Sequence, residues 1–145
     1  LLKKLWTERS VNFQGEFDQI THAGVNPLPI QHTIPVWFGG GSDATLKRAA
    51  RLGDGWIPLG NPGSKTIKMI EKLNRFLDEE NRDKTKFGIE AWIRYGDGEP
   101  DVWKATAEKW KQLGATHLTF YTSGQGAGTV SQQIDAMKIF KDAIQ

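Results

Sequence analysis

Three consecutive glycines followed by a serine, Gly39 to Ser42, are the residues whose types and order best suit ligand binding in this sequence. They follow the apolar run Ile34–Phe38, which is typical of a buried strand, and they precede a stretch with helical periodicity. Glycines let the backbone turn sharply and leave its N–H groups uncovered, and Ser42 stands where a helix N-cap is expected. Because free N–H groups at a helix N-terminus attract anions, the segment predicts a phosphate site. The alternative is a structural turn with an ordinary N-cap, and Asp43 would repel a phosphate if its side chain pointed inward.

A second glycine-rich segment contains Gly124, Gly126 and Gly128 and follows the last predicted strand. Its G-x-G-x-G spacing differs from the G-x-G-x-x-G fingerprint of dinucleotide-binding folds. We interpret it as a mobile surface loop. The alternative is a lid or a second phosphate contact.

Glu90, Trp92 and Arg94 alternate with apolar residues along the predicted strand 87–95. This alternation places the three side chains on one face of a sheet and the apolar ones on the other, toward the helices. On an inner face, charges must be paired or hydrated. We therefore predict a structural ion network here, and the alternative is a functional site.

The three histidines, His22, His32 and His117, have no ligand spacing such as H-E-x-x-H, so no metal site is predicted. Asp54 is interpreted as a turn residue that caps a strand entry, and Trp56 as a core residue. No residue stands out as a catalytic acid or base, and the catalytic residues stay unknown at this level.

Composition narrows the class of protein. A chain of 145 residues can build one domain with a real core, and a net charge of +2 from interspersed acids and bases gives no support for a nucleic-acid partner. No stretch approaches the ~20 apolar residues of a membrane span. The absence of cysteine excludes disulfides and thiolate catalysis and allows a reducing compartment. The chain begins Leu1-Leu2-Lys3, like the tail of a helix already under way, so we expect the amino-terminal part of a larger protein to precede it.

The order of predicted elements indicates an α/β fold. Residues 1–33 are predicted to form a helix tail, a small hairpin and a loop, and residues 34–145 four strand–helix units. This alternation favours a parallel sheet with crossover helices, all within a single partial domain spanning residues 1–145. Four units are half of an eight-stranded barrel, which takes roughly 250 residues. The inward helix faces are predicted to include Ile67, Ile70, Leu73, Phe76 and Leu77 in one helix, and Ile134, Met137, Phe140 and Ile144 in the last one.

The segment Ile34–Leu59, IPVWFGGGSDATLKRAARLGDGWIPL, resembles the luciferase-like monooxygenase superfamily. Members share an apolar strand ending in Gly-Gly, one or two polar residues, an alanine-rich helix and then Gly-Asp-Gly-Trp, which is Gly53 to Trp56 here. The stretches Leu5–Glu8 and Val11–Phe17 also resemble what precedes that strand in the family. Beyond residue 65 the resemblance rests on the order of elements alone.

The resemblance implies a fold, a cofactor and a site. The family has a TIM-barrel fold and uses FMN or the deazaflavin F420, and residues 34–38 resemble its fifth strand. The chain would then be the C-terminal half of a (β/α)8 barrel, strands five to eight, and Gly39, Gly40, Gly41 and Ser42 would bind the cofactor phosphate. A cytoplasmic oxidoreductase or monooxygenase with a small-molecule substrate is the implied function, with FMN and F420 both open.

Two other functions stay open. One is a non-catalytic half-barrel that binds a phosphate-bearing ligand or forms a homodimer through exposed strand edges near Val36 and Thr119. The other is a phosphosugar-binding TIM-barrel fragment, in which the loop 123–128 carries the phosphate instead of Gly39–Ser42.

Overall fold

Residues 1–35 form a short helix, an antiparallel hairpin and a loop in the computed structural model, which describes all 145 residues. These residues form one of two compact units, and the other comprises residues 36–145. The elements of the first unit are α1 (Leu2–Thr7), β1 (Val11–Gln14) and β2 (Gln19–Ala23). The predicted helix tail and hairpin are confirmed.

Residues 36–145 contain a four-stranded parallel sheet with helices between its strands. The strands are β3 (Trp37–Gly39), β4 (Gly55–Ile57), β5 (Gly88–Arg94) and β6 (His117–Tyr121), and the helices are α2 (Asp43–Leu52), α3 (Ser64–Glu79), α4 (Pro100–Gln112) and α5 (Val130–Ile144). The strands lie side by side in the order in which they occur in the sequence, and each neighbouring pair is joined by a helix. The predicted alternation of strand and helix around a parallel sheet is confirmed.

Strand β3 begins at Trp37, and the prediction that it begins at Ile34 is wrong. Pro35 has no N–H group to donate to a ladder. The N–H group of Val36 donates to Oδ2 of Asp54 (2.8 Å), and its carbonyl oxygen accepts the N–H group of Asp54 (2.7 Å). Because both polar backbone groups of Val36 bond to Asp54, the ladder starts one residue later. The interpretation of Asp54 as the residue that caps the strand entry is confirmed.

The buried side chains form two clusters, each between the sheet and a pair of helices. The first joins α2 and α3 to β4 and the start of β5, and the second joins α4 and α5 to the end of β5 and to β6. In the second cluster the rings of Phe120 and Phe140 stack with centroids 4.1 Å apart. The fully buried side chains of the first cluster include Leu46, Ala49, Ala50, Trp56 and Leu73.

Two predicted helix faces differ from the structure. In α3 the buried stripe contains Thr66 and Met69, while Ile67 is exposed, because the helix turns its stripe toward α2. In α5 only Ala136 and Phe140 are buried, and the predicted inward residues Ile134, Met137 and Ile144 are exposed. Helix α5 packs against α4 along one side, so part of its apolar stripe is exposed to solvent.

None of the helices is both long enough and apolar enough to cross a lipid bilayer.

Candidate functional site

The predicted phosphate site is a turn that links the end of β3 to the start of α2. Gly39 is the last residue of the strand, and Gly40 has a φ angle of +119°, which side chains rarely adopt. A Cβ atom on Gly41 would collide with the sulfur of Met69 from α3. Glycine is therefore favoured at position 40 by backbone conformation, and at position 41 a side chain would require Met69 to move.

Ser42 is the N-cap of α2, as predicted. Its Oγ accepts the N–H group of Thr45 at 3.2 Å and lies 2.9 Å from the hydroxyl oxygen of Thr45. If the Thr45 hydroxyl donates in this contact, the Ser42 hydroxyl proton is free to point outward.

Several N–H groups of the turn have no acceptor within the chain. The N–H group of Gly40 donates to the carbonyl oxygen of Ile57 (3.3 Å), and that of Leu46 donates to the carbonyl oxygen of Ser42 (2.9 Å). No such bond exists for the N–H groups of Gly41, Ser42, Asp43 and Ala44. A helix N-terminus with open donors and its positive dipole end is suited to an anion with several oxygens, such as a phosphate.

A hydrogen bond from the side chain of Trp56 stabilises the turn. The Trp56 side chain is fully buried, as predicted for a core residue, and its indole N–H donates to the carbonyl oxygen of Gly40 at 2.6 Å. The sequence reasoning missed this bond, although a buried indole N–H usually finds an acceptor, which is the signal that could have revealed it.

Asp43 does not point at the turn as a free charge. Its carboxylate accepts a hydrogen bond from the Lys72 ammonium group of α3 at 2.7 Å. This bond lowers the pKa of the Asp43 carboxyl below its ordinary value, and nearby positive charges on Arg75 and Lys47 act in the same direction. The pairing with Lys72 answers the concern that Asp43 repels a phosphate, because the negative charge is neutralised on the α3 side.

A second helix begins beside the turn. Parallel neighbouring strands end at the same sheet edge, so the loop after β4 lies next to Gly39–Ser42. In this loop the carbonyl oxygen of Asn61 accepts the hydroxyl of Thr66 from the first turn of α3 (2.8 Å), and Gly63 is the N-cap of α3. A Cβ atom on Gly60 or on Gly63 would meet nothing within 4 Å, so this loop leaves open space.

The glycine loop after β6 contains both exposed and buried residues, and its mobility stays a prediction. Thr122 and Ala127 are buried, and the side-chain amide of Gln133 donates to the carbonyl oxygen of Ala127 (3.2 Å). Gly124 and Gly126 have φ angles of +67° and +98°, which explains their residue type without a ligand.

In place of the predicted ion network, Glu90 accepts hydrogen bonds from two uncharged side chains. The Glu90 carboxylate accepts the indole N–H of Trp92 (3.0 Å) and the hydroxyl of Thr119 (2.7 Å). Trp92 stacks on Tyr121, with centroids 6.2 Å apart, and Arg94 is exposed at the end of β5. The predicted alternation itself is confirmed, because the intervening residues of β5 are buried toward the helices.

His117 is the first residue of β6. The ring of His117 contacts the ring of Trp37 edge-on, with centroids 5.0 Å apart. Its Nδ1 is hydrogen-bonded to the hydroxyl of Thr116 at 2.8 Å. Nowhere in the chain do three His, Cys, Asp or Glu side chains converge as metal ligands would. A cleft of about 480 Å³ lies at the other end of the sheet, beside Trp110, Thr116 and His117. It is remote from the glycine turn, and we give the turn greater weight because it presents convergent donors.

Residues 36–145 thus form a parallel α/β protein whose loops gather at the carboxyl ends of the strands, the edge at which proteins of this class bind ligands. The chain belongs to the luciferase-like monooxygenase family, whose model matches residues 1–139.

Curated relatives match part of the chain. It is 32% identical over 109 residues to an F420-dependent glucose-6-phosphate dehydrogenase of Segniliparus rotundus, covering 72% of this chain and 31% of that protein. It is 29% identical over 120 residues to F420-dependent glucose-6-phosphate dehydrogenase 2 of Rhodococcus jostii, covering 80% of this chain and 35% of that protein. The chain thus spans about a third of the length of these relatives.

Solved structures share the fold. The F420-dependent tetrahydromethanopterin reductase of Methanopyrus kandleri matches with a TM-score of 0.77 at 14% identity, over 99% of this chain and 59% of that one. The monooxygenase RslO1 of Streptomyces bottropensis matches with a TM-score of 0.74 at 15% identity, over 99% of this chain and 57% of that one. The α/β fold of this chain matches that of the TIM-barrel enzymes of the family.

Proposed function

We propose that this chain holds the phosphate of F420 or FMN at Gly39–Ser42, as part of an oxidoreductase or monooxygenase that acts on a small-molecule substrate in the cytoplasm. The observation that carries the proposal is the set of four N–H groups, from Gly41 to Ala44, without an acceptor in the chain. Membership of the luciferase-like family supports it, as do the names of the relatives, which state F420 dependence. We further propose that the four βα units are strands five to eight of a TIM barrel, within one partial domain of residues 1–145.

The residues present fit a phosphate. Glycines at positions 40 and 41 keep the backbone uncovered, the Ser42 hydroxyl adds a donor, and the N-terminus of α2 adds a positive dipole end. Lys72 neutralises the one carboxylate in the first turn of the helix. F420 or FMN, when bound, supplies the redox chemistry, and these residues bind and orient its phosphate.

A fluorescence titration of the chain with F420 and with FMN tests the proposal. We expect saturable binding of one of the two and a loss of about tenfold or more in affinity for Ser42→Ala, because a hydrogen bond to a charged group contributes about 1.5–3 kcal/mol.

Thr129→Ala is the matched control for Ser42→Ala. Thr129 caps α5 and accepts the N–H group of Gln132 at 3.2 Å, the same kind of bond at the same distance as in Ser42. Equal loss of affinity in the two variants, or no saturable binding of either cofactor, would contradict the proposal. A larger loss for Thr129→Ala would favour a phosphate site at the loop 123–128.

A second candidate function is self-association of a non-catalytic half-barrel. Strands β3 and β6 are the edges of the sheet, each with a neighbour on one side only, and the exposed stripe of α5 includes Ile134 and Met137. Sedimentation velocity tests it, since a homodimer formed through these edges predicts a stable two-chain species that binds the cofactor without turnover. A monomer at micromolar concentration would rule this candidate out.

A further inference from the structure

Trp56 has a polar contact that its place in the core does not require. The chain has two other tryptophans with fully enclosed indole nitrogens, Trp103 and Trp110, and neither N–H group has a hydrogen-bond partner. Burial alone therefore does not force an indole to bond in this protein. The Trp56 N–H nevertheless donates to the carbonyl oxygen of Gly40 at 2.6 Å.

The bond falls on the residue of the turn that most needs external support. Glycine has the widest conformational freedom of all residues, and Gly40 adopts a φ angle of +119°. Its N–H group donates to the carbonyl oxygen of Ile57, and its carbonyl oxygen accepts from Trp56. Both polar groups of Gly40 are therefore tied to two consecutive residues of β4, which is a rigid element.

Holding Gly40 determines where the following donors point. The peptide that contains the Gly40 carbonyl group also contains the N–H group of Gly41, and the two are fixed in one plane. A hydrogen bond to that carbonyl oxygen on the β4 side orients the N–H of Gly41 to the opposite side of the peptide. The side chain of Met69 packs against Gly41, the residue that follows Gly40, and limits its movement.

We infer that Trp56 is a positioning residue: its indole N–H sets the orientation of the Gly40–Gly41 peptide and thereby of the open donors of the turn. The inference rests on the proposed phosphate site for its function, although its structural part concerns the free chain. Phenylalanine at position 56 would fill most of the same core volume and leave the Gly40 carbonyl oxygen without this donor.

The test compares Trp56→Phe with Trp110→Phe in the whole chain. Both substitutions replace a buried indole with a smaller phenyl ring, but only Trp56→Phe removes an N–H group that has a hydrogen-bond partner. We expect the ¹⁵N order parameters of Gly41 and Ser42 to fall in the free Trp56→Phe chain and to stay unchanged in Trp110→Phe. Affinity for the cofactor that binds, F420 or FMN, should fall by about fivefold in Trp56→Phe, equivalent to ~1 kcal/mol, and not in Trp110→Phe.

The outcomes separate this inference from the proposed function. Unchanged order parameters in Trp56→Phe, or equal changes in both variants, overturn the positioning role. Absence of cofactor binding by the unsubstituted chain overturns the proposed function, while the order parameters still decide the role of Trp56.

A second measurement serves if Trp56→Phe does not fold. In the unsubstituted chain the indole proton of Trp56 should resonate downfield of those of Trp103 and Trp110, because of these three indoles only that of Trp56 is hydrogen-bonded. An indole proton of Trp56 that resonates with the other two overturns the inference.

Discussion

Alanine substitutions at Gly39 and Gly40 should have opposite effects on stability although the residues are adjacent. At Gly40 the φ angle is +119°, and an added Cβ would lie 3.3 Å from Cγ2 of Thr45. Holding a non-glycine residue in such a conformation costs about 1–3 kcal/mol. At Gly39 the backbone is in a strand, and an added Cβ would meet only the carbonyl oxygen of Ile57, at 4.0 Å. Alanine there should stabilise the fold by up to about 1 kcal/mol, through lower entropy of the unfolded chain.

Thermal unfolding followed by circular dichroism measures the difference. For a domain of this size 1 kcal/mol corresponds to about 2–4 °C in Tm, so Gly40→Ala should lower Tm by roughly 4–8 °C for a cost near 2 kcal/mol. Gly39→Ala should leave Tm unchanged or raise it by a few degrees. Equal decreases in Tm for the two variants would refute the reasoning, because they would show that the left-handed conformation of Gly40 is not what demands glycine.

Two further predictions concern α2 and α5. Lys72→Met should raise the pKa of Asp43 toward its ordinary value of 3.8, since the Lys72 hydrogen bond is the main cause of its lowering, and an NMR titration with no change would contradict this. Because the pKa is lowered in the folded chain, this pair stabilises the fold above the ordinary pKa, and that stabilisation is lost as pH falls through the lower folded value. Phe140→Ala should reduce the free energy of unfolding, measured by urea denaturation, by about 3–5 kcal/mol. Ile134→Ala should reduce it far less, because that side chain is 47% exposed. Similar reductions for the two variants would contradict the assigned buried face of α5.

The order of elements could be predicted from the sequence because it depends on local patterns. The Ser42 N-cap, the end of α2 at Gly53 and the alternation along β5 are each set by residues within a few positions of one another. Such features follow from capping preferences and from side-chain periodicity. The start of β3 could not be predicted in this way, because it depends on the bonds between Val36 and Asp54, which are far apart in the sequence.

The inward faces of helices were less predictable, for a physical reason. A helix with apolar residues on more than one side can bury either side, and its neighbours decide which. In α3 the neighbouring helix α2 selects Met69 over Ile67, and in α5 contact along the α4 side selects Phe140 and leaves Ile134 exposed. The partners of Glu90 were unpredictable for the same reason, since the hydroxyl of Thr119 reaches it only through the pairing of β5 with β6.

The glycine turn shows both what local sequence patterns can predict and what they cannot. Glycines followed by an N-cap serine can be recognised from the sequence, because each residue type has a local reason to be there. What keeps the turn in one conformation comes from elsewhere in the chain: Trp56 on β4 binds the Gly40 carbonyl oxygen, and Met69 on α3 packs against Gly41. A hydrophobicity pattern registers Trp56 only as an apolar residue and does not record its indole N–H. Both residues that hold the backbone of this turn, Trp56 and Met69, belong to the neighbouring βα unit formed by β4 and α3, so a local glycine motif does not reveal them.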